Sequence, residues 1–289
     1  MKQFKVLILS TVLLSFGVTF LSTKIIQQLN LYKANKNEIA DLLNFENRIL
    51  DIGEYIPFFS DSDSKIETWG VLYKAASKQY DLALKYGFVL LVLVLIYAFV
   101  NYLAYQKTIE KERVLGIVFV FAALSFLYLG LQNPFLEVEA YSSNLELNAI
   151  LTKTFEGRTY YLYQNKSIME LIKLLFSGGN LLVGLCVVLF SIVFPLFKLG
   201  ASLFVLLFPQ TKMAKKALFI INKLGKWSMA DVFISAVFLA VFSFASMNVG
   251  VDTDSNTLIG LYFFLAFVLL SIVSGQFLKH VLKHVITHK

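Results

Sequence analysis

Six stretches of the chain contain no Asp, Glu, Lys or Arg: Val6–Thr23, Tyr86–Gln106, Val114–Leu136, Leu174–Phe197, Val232–Val251 and Ser255–Leu278. At about 1.5 Å of rise per residue, each is long enough as a helix to cross a hydrocarbon core of roughly 30 Å. One such window would suit the buried helix of a soluble domain, but six in a chain of 289 residues would not. The pattern predicts an all-α polytopic membrane protein with about six transmembrane helices.

The polar stretches between the windows carry their own periodicity. Ile39, Leu42, Leu43, Ile49 and Leu50 recur at helical spacing, so the first helix is expected to continue beyond the membrane until a break near Gly53 and Pro57. Ser64 and Glu67 have capping-box spacing just before a second stripe, Trp69, Tyr73, Ala76 and Tyr80, that leads back to the second span. The two stripes are expected to pack on each other outside the membrane, which makes residues 1–108 a helical hairpin. Further on, Asn133–Pro134 ends the third helix. Leu145–Thr154 and Thr159–Gln164 are rich in β-branched and aromatic residues and flank Glu156–Gly157, which predicts a small β-hairpin. Ser167–Phe176 reads as an amphipathic helix, ending at Ser177–Gly178–Gly179 where the chain re-enters the membrane.

Charge then orients this string of helices. Only 16% of residues are charged, against about a quarter in soluble domains. The net charge of +7 would suit nucleic acid, but its distribution argues otherwise. Lys2 and Lys5, then Lys107, Lys111 and Arg113, then five lysines between Gln210 and Lys226, then Lys279, Lys283 and Lys289 all fall on one side of consecutive spans. Asp61, Asp63, Glu137, Glu139, Asp252 and Asp254 fall on the other. By the positive-inside rule both termini are cytoplasmic and both hairpins periplasmic. The basic groups serve orientation and attraction to anionic headgroups, and no nucleic-acid partner is expected. The single cysteine, Cys186, lies within a span and excludes an intramolecular disulfide and a thiolate metal site. The first apolar run is longer than a signal-peptide core and lacks an Ala-x-Ala cleavage site, so an uncleaved anchor is expected.

The candidate chemistry is concentrated in two spans. The fourth, Leu181–Phe208, contains Phe194-Pro195-Leu196-Phe197-Lys198 in otherwise apolar sequence. Pro195 has no N–H to donate to the Ser191 carbonyl, which predicts a kink. Lys198 lies about 15 Å by helical rise from the cytoplasmic end, where an ammonium costs roughly 2.5–3.5 kcal/mol on insertion scales. Ser191, Pro195, Lys198 and Ser202 share one helical face. That face reads either as a functional polar stripe or as a snorkelling lysine that joins helices. The fifth span offers a complementary face in Ser228, Asp231, Ser235 and Ser246. Asp231 reads either as part of a capping box with Ser228 or as facing the Lys198 stripe across a shared polar cavity. His280, His284 and His288 share a helical face among lysines at the membrane surface, and no metal site is assigned to them. With no phosphate-binding glycine loop, nucleophile or acid–base pair, neither a cofactor nor an enzymatic activity is expected.

Ile192-Val193-Phe194-Pro195-Leu196-Phe197-Lys198-Leu199, a basic loop, and Gly225-Lys226-Trp227-Ser228-Met229-Ala230-Asp231-Val232-Phe233 together resemble the paraquat-inducible protein A family. The likeness extends to Asn133-Pro134-Phe135-Leu136 and Gly260-Leu261-Tyr262-Phe263. It marks Val114–Leu278, within a domain of residues 114–289, as a four-helix module, with the hairpin outside the pattern. Many members pair two modules and carry cysteine-rich zinc ribbons, whereas this chain has one module and no Cys-x-x-Cys. The resemblance implies an inner-membrane subunit that moves lipid between the bilayer and a periplasmic MCE-domain partner. Its motif positions would be Pro195, Lys198, Ser228 and Asp231. Two other readings stay open: an ion- or proton-coupled transporter, and a non-transporting membrane-stress scaffold.

Overall fold

The computed structural model describes residues 2–50, 62–105, 108–143, 145–148, 152–155, 157–211, 213 and 251–287. The helices are α1 (Lys2–Leu42), α2 (Phe45–Leu50), α3 (Ser62–Ala104), α4 (Thr108–Gln132), α5 (Ile168–Ser177), α6 (Leu181–Val188), α7 (Phe194–Leu207) and α8 (Ile259–Thr287). A π-helical turn, Leu189–Val193, joins α6 to α7. The strands are β1 (Pro134–Ser142), β2 (Leu145–Asn148), β3 (Thr152–Phe155), β4 (Thr159–Ser167) and β5 (Asp252–Thr257).

Among the described residues, four segments are long and apolar enough to cross a membrane: Glu67–Ala104, Glu110–Gln132, Leu181–Leu207 and Ile259–Leu282. α1 runs unbroken through the first charge-free window. The fifth window lies outside the described residues except for Val251, as do Ser228, Asp231, Ser235, Ser246 and the expected break near Gly53 and Pro57. α4 is the most enclosed of the four spans. Its Val120, Ala123, Phe126 and Leu127 join Phe264 and Phe267 of α8 in the main core. Ile25 and Leu29 of α1 and Ala83 and Leu90 of α3 belong to the same core, so the N-terminal hairpin packs onto the bundle.

Beyond the spans the two expected stripes do meet. Ile39 of α1 and Leu43 just after it cluster with Trp69 of α3, and Tyr32 clusters with Ala76 and Tyr80. Leu50 is a correction, being 77% exposed and outside that packing. α3 also starts earlier than the capping-box reading implied, at Ser62, so Ser64 falls within its first turn.

The β structure corrects the expected hairpin. Leu145–Asn148 and Thr152–Phe155 pair with each other, so the first predicted strand is itself a small hairpin. The second, β4, pairs instead with β1, which also pairs with β5 in an antiparallel sheet of order β4-β1-β5. The fold is therefore mostly helical with a small sheet, rather than all-α with one hairpin. β1 and β5 escape the hydrophobic pattern because acids interrupt both, at Glu137 and Glu139 and at Asp252 and Asp254, and their pairing joins residues far apart in the chain. The amphipathic helix is as expected: Ser167 caps α5, its hydroxyl accepting from the Glu170 N–H while the Glu170 carboxylate accepts from the Ser167 N–H.

The sheet is anchored at one end of the bundle. β1 follows α4 directly, β5 leads into α8, and β4 leads into α5. Glu137, Glu139, Asp252 and Asp254 lie at this end. Arg113 lies at the other, where its Nε donates to the Leu206 carbonyl at 2.6 Å and its guanidinium also donates to that of Leu207. These are terminal carbonyls of α7 that lack helical donors, so Arg113 caps that helix. His280 Nδ1 lies 3.4 Å from a Glu112 carboxylate oxygen at the same end.

Candidate functional site

The polar stripe of the fourth span lies along the α6–π-turn–α7 segment. A proline within a helix removes one donor and crowds the turn before it. The backbone accommodates Pro195 by widening that turn: the Phe194 N–H donates to Leu189, five residues back, instead of to Phe190. The expected disruption thus takes the form of a π turn, a feature frequent at functional sites. Ser191 sits inside it.

The stripe faces inward. Ser191 and Ser202 are 1% and 2% exposed, Pro195 is buried, and Lys198 is half-buried between them. Among the described residues the Ser191 hydroxyl has no hydrogen-bond partner and Lys198 has no ion-pair partner. An unmatched buried hydroxyl costs about 1–3 kcal/mol, so this face is built to meet polar groups. Ser271 of α8, which the sequence reading did not single out, is a second such case: buried, with its hydroxyl unpartnered among the described residues. One turn on, Ser274 turns its hydroxyl back onto the Ser271 carbonyl at 2.9 Å. A Ser271/Ser274 pair in the last window was the available sequence signal. The juxtaposition of Lys198 with Asp231 lies outside the described residues. Cys186 is half-buried in α6, and the described residues contain no group of three or more potential metal-ligating side chains.

A second polar centre, also absent from the sequence reading, joins the hairpin to the sheet. Glu137 and Glu139 on β1 are each 3% exposed. Lys36 of α1 reaches both, with Nζ at 2.9 Å from Glu139 and 3.3 Å from Glu137. Tyr32 and Tyr163 donate their hydroxyls to Glu137 at 3.0 and 2.7 Å. Arg158 lies 3.5 Å from Glu139. Burial alone would lower the Lys36 pKa, but the two carboxylates outweigh it and hold the ammonium above the usual lysine value. Burial and the nearby Glu137 push the Tyr32 and Tyr163 hydroxyls upward, so both remain protonated donors. Two acids and two bases compensate one another here. Such a centre locks geometry, since Glu137, Glu139 or Lys36 left alone would be a charge largely removed from water and unpaired.

Lys33, one residue along from the Tyr32 anchor, forms an ion pair with Glu170, the residue that closes the capping box of α5. The hairpin thus holds both the sheet and the helix that leads into the fourth span.

An inward polar stripe on apolar helices, interrupted by a π turn and topped by a small sheet, defines a multi-pass membrane protein with a polar intramembrane face. The family model of paraquat-inducible protein A matches residues 145–282. That segment runs from the β2–β3 hairpin through the Lys198 span to α8, and it bears out the resemblance carried by the Pro195–Lys198 motif. No curated protein and no solved structure matches the chain.

Proposed function

We propose that this protein is the inner-membrane subunit of a bacterial envelope lipid-transport system, passing lipid between the bilayer and a periplasmic MCE-type partner. It would act as a transporter subunit with no catalytic chemistry of its own. The family match supports the reading, and the observation that carries it is the inward stripe Ser191–Pro195–Lys198–Ser202. A lipid has a charged headgroup and apolar tails, so moving it through a bundle requires polar contacts at depth beside a lipid-facing surface. Lys198 supplies a cation for a phosphate, and the Ser191 hydroxyl supplies a donor. Asp231, Ser228 and Ser235 complete the cavity in this reading, with both termini in the cytoplasm and the sheet in the periplasm.

The test substitutes Lys198 and Asp231 by Ala, singly, in cells that depend on the protein for envelope integrity. Loss of integrity at normal expression, with fewer phospholipids co-purifying, is the expected result. Full function of both variants would remove the site assignment. An ion- or proton-coupled transporter is the second reading, favoured by the intramembrane position of Lys198, which has no ion-pair partner among the described residues. It predicts flux in proteoliposomes that follows an imposed pH gradient.

A further inference from the structure

Helix α5 carries more apolar surface than the protein covers. Its polar positions, Glu170, Lys173 and Ser177, occupy one narrow arc at offsets 0, 3 and 7, and every other position is apolar. Yet only Ile168 and Ile172 are fully buried, while Leu174 is 51% and Phe176 41% exposed. A ten-residue helix in water would bury that surface or replace it.

Its surroundings indicate what covers it. Gly178 and Gly179 turn the chain, Gly179 at φ +77°, and the span begins at Leu181. Leu181 and Leu182 are 61% and 76% exposed at the start of that span, where the surface meets lipid. α5 folds back onto this entry: a Cβ on Gly184 would touch Leu175 Cβ and the Phe176 ring at 3.4 Å. Leu174 and Phe176, two positions apart, border the polar arc of α5 on opposite sides, and on the Phe176 side its exposed apolar surface is continuous with that of the first turns of the fourth span. At its other end, Glu170 is held by Lys33 of the hairpin.

We propose that α5 is an in-plane membrane helix, with Leu174 and Phe176, one on each side of its polar arc, reaching the acyl chains of the leaflet on the sheet side. Its Glu170–Lys173–Ser177 arc faces the headgroups and water. Lys173 then lies within reach of lipid phosphates. The hairpin sets the height of this helix through Lys33–Glu170, so α5 couples the bilayer surface to the π-turned span behind it. The inference concerns placement and stands independently of what the protein transports.

The single native cysteine makes the test direct. In a Cys186→Ser background, nitroxides are placed in turn at Leu174, Phe176, Lys173 and Ser177 of the full chain in phosphatidylcholine nanodiscs. Collision with oxygen and with a water-soluble nickel chelate is then measured. The expected result is a severalfold higher oxygen-to-nickel ratio at positions 174 and 176 than at 173 and 177. Equal ratios at all four positions would overturn the proposal. Protection of 174 and 176 from both reagents would also overturn it, by showing that protein covers the flank. A second variant guards against disturbance by the label: Phe176→Trp should add fluorescence that brominated phosphatidylcholine quenches, and unquenched added fluorescence would count against insertion.

Discussion

Gly260 lies so close to the end of α4 that a Cβ on it would sit 2.5 Å from the Pro134 carbonyl oxygen and 2.6 Å from that of Asn133. The first turn of α8 is seated on the bend where α4 becomes β1. Phe135 reinforces the joint, its carbonyl accepting the Leu258 N–H at 3.1 Å and its ring meeting Phe264 edge-on. The Asn133-Pro134 and Gly260-Leu261 pieces of the resemblance are thus two sides of one contact.

Gly260→Ala should separate those backbones, because the obstructing atoms are carbonyls and not flexible side-chain ends. A loss of about 1–3 kcal/mol is expected from such overpacking. Thermal unfolding in detergent measures it, with Gly275→Ala as the control, since a Cβ there meets nothing within 4 Å. An equal effect of both substitutions would show that helix propensity, not the Pro134 contact, governs the site.

Lys36→Met leaves Glu137 and Glu139 buried without their shared cation. Breaking a buried pair in this way costs roughly 3–5 kcal/mol. The melting temperature should fall well below that of Lys74→Met, an exposed lysine of α3 whose loss should be within about 0.5 kcal/mol of neutral. Matching melting curves for the two variants would mean that the centre contributes no cohesion.

The Lys33–Glu170 tether should be sensitive to acid. Burial would raise the Glu170 pKa, but the Lys33 ammonium and the Ser167 N–H together hold it below 4.5. A carboxylate with a depressed folded-state pKa contributes stability above its unfolded value, and that contribution is lost as pH falls through the folded value. Wild type should therefore melt above Glu170→Gln at neutral pH, and the gap should close below about pH 4.5. Lys36 has the opposite sign. Its raised pKa stabilises the fold below 10.5 and ceases to do so as pH rises through the folded value. A gap for Glu170→Gln that stayed constant with pH would exclude an ionic origin.

Pro195→Ala restores the missing N–H and allows the Leu189–Val193 turn to return to α register. The expected outcome is a protein at least as stable, with Ser191 rotated relative to Lys198 and with impaired function in the envelope-integrity assay. Normal function together with an α-helical turn would show that the π turn only accommodates proline.

The apolar windows and the polar stripe were legible in the sequence because both are local. A run without charges reports its own transfer free energy, and Ser191, Pro195, Lys198 and Ser202 share a face through helix geometry alone. The amphipathic run Ser167–Phe176 was equally readable, as its period is that of a single helix. The sheet was not. β1 and β5 pair Leu136–Tyr141 with Asp252–Thr257, more than a hundred residues further along the chain, and nothing in either strand specifies its partner. In the sequence Glu137 and Glu139 show only which side of the membrane they lie on, and their burial is offset by Lys36 and Tyr32 from the hairpin together with Tyr163 and Arg158. Local pattern alone marks which segments are apolar and long enough to cross a membrane, and which face of the fourth of them is polar, because both properties close within a single helix. Tertiary structure decided what holds the hairpin, the sheet and that span together, because those contacts depend on charges that meet only after the chain has folded.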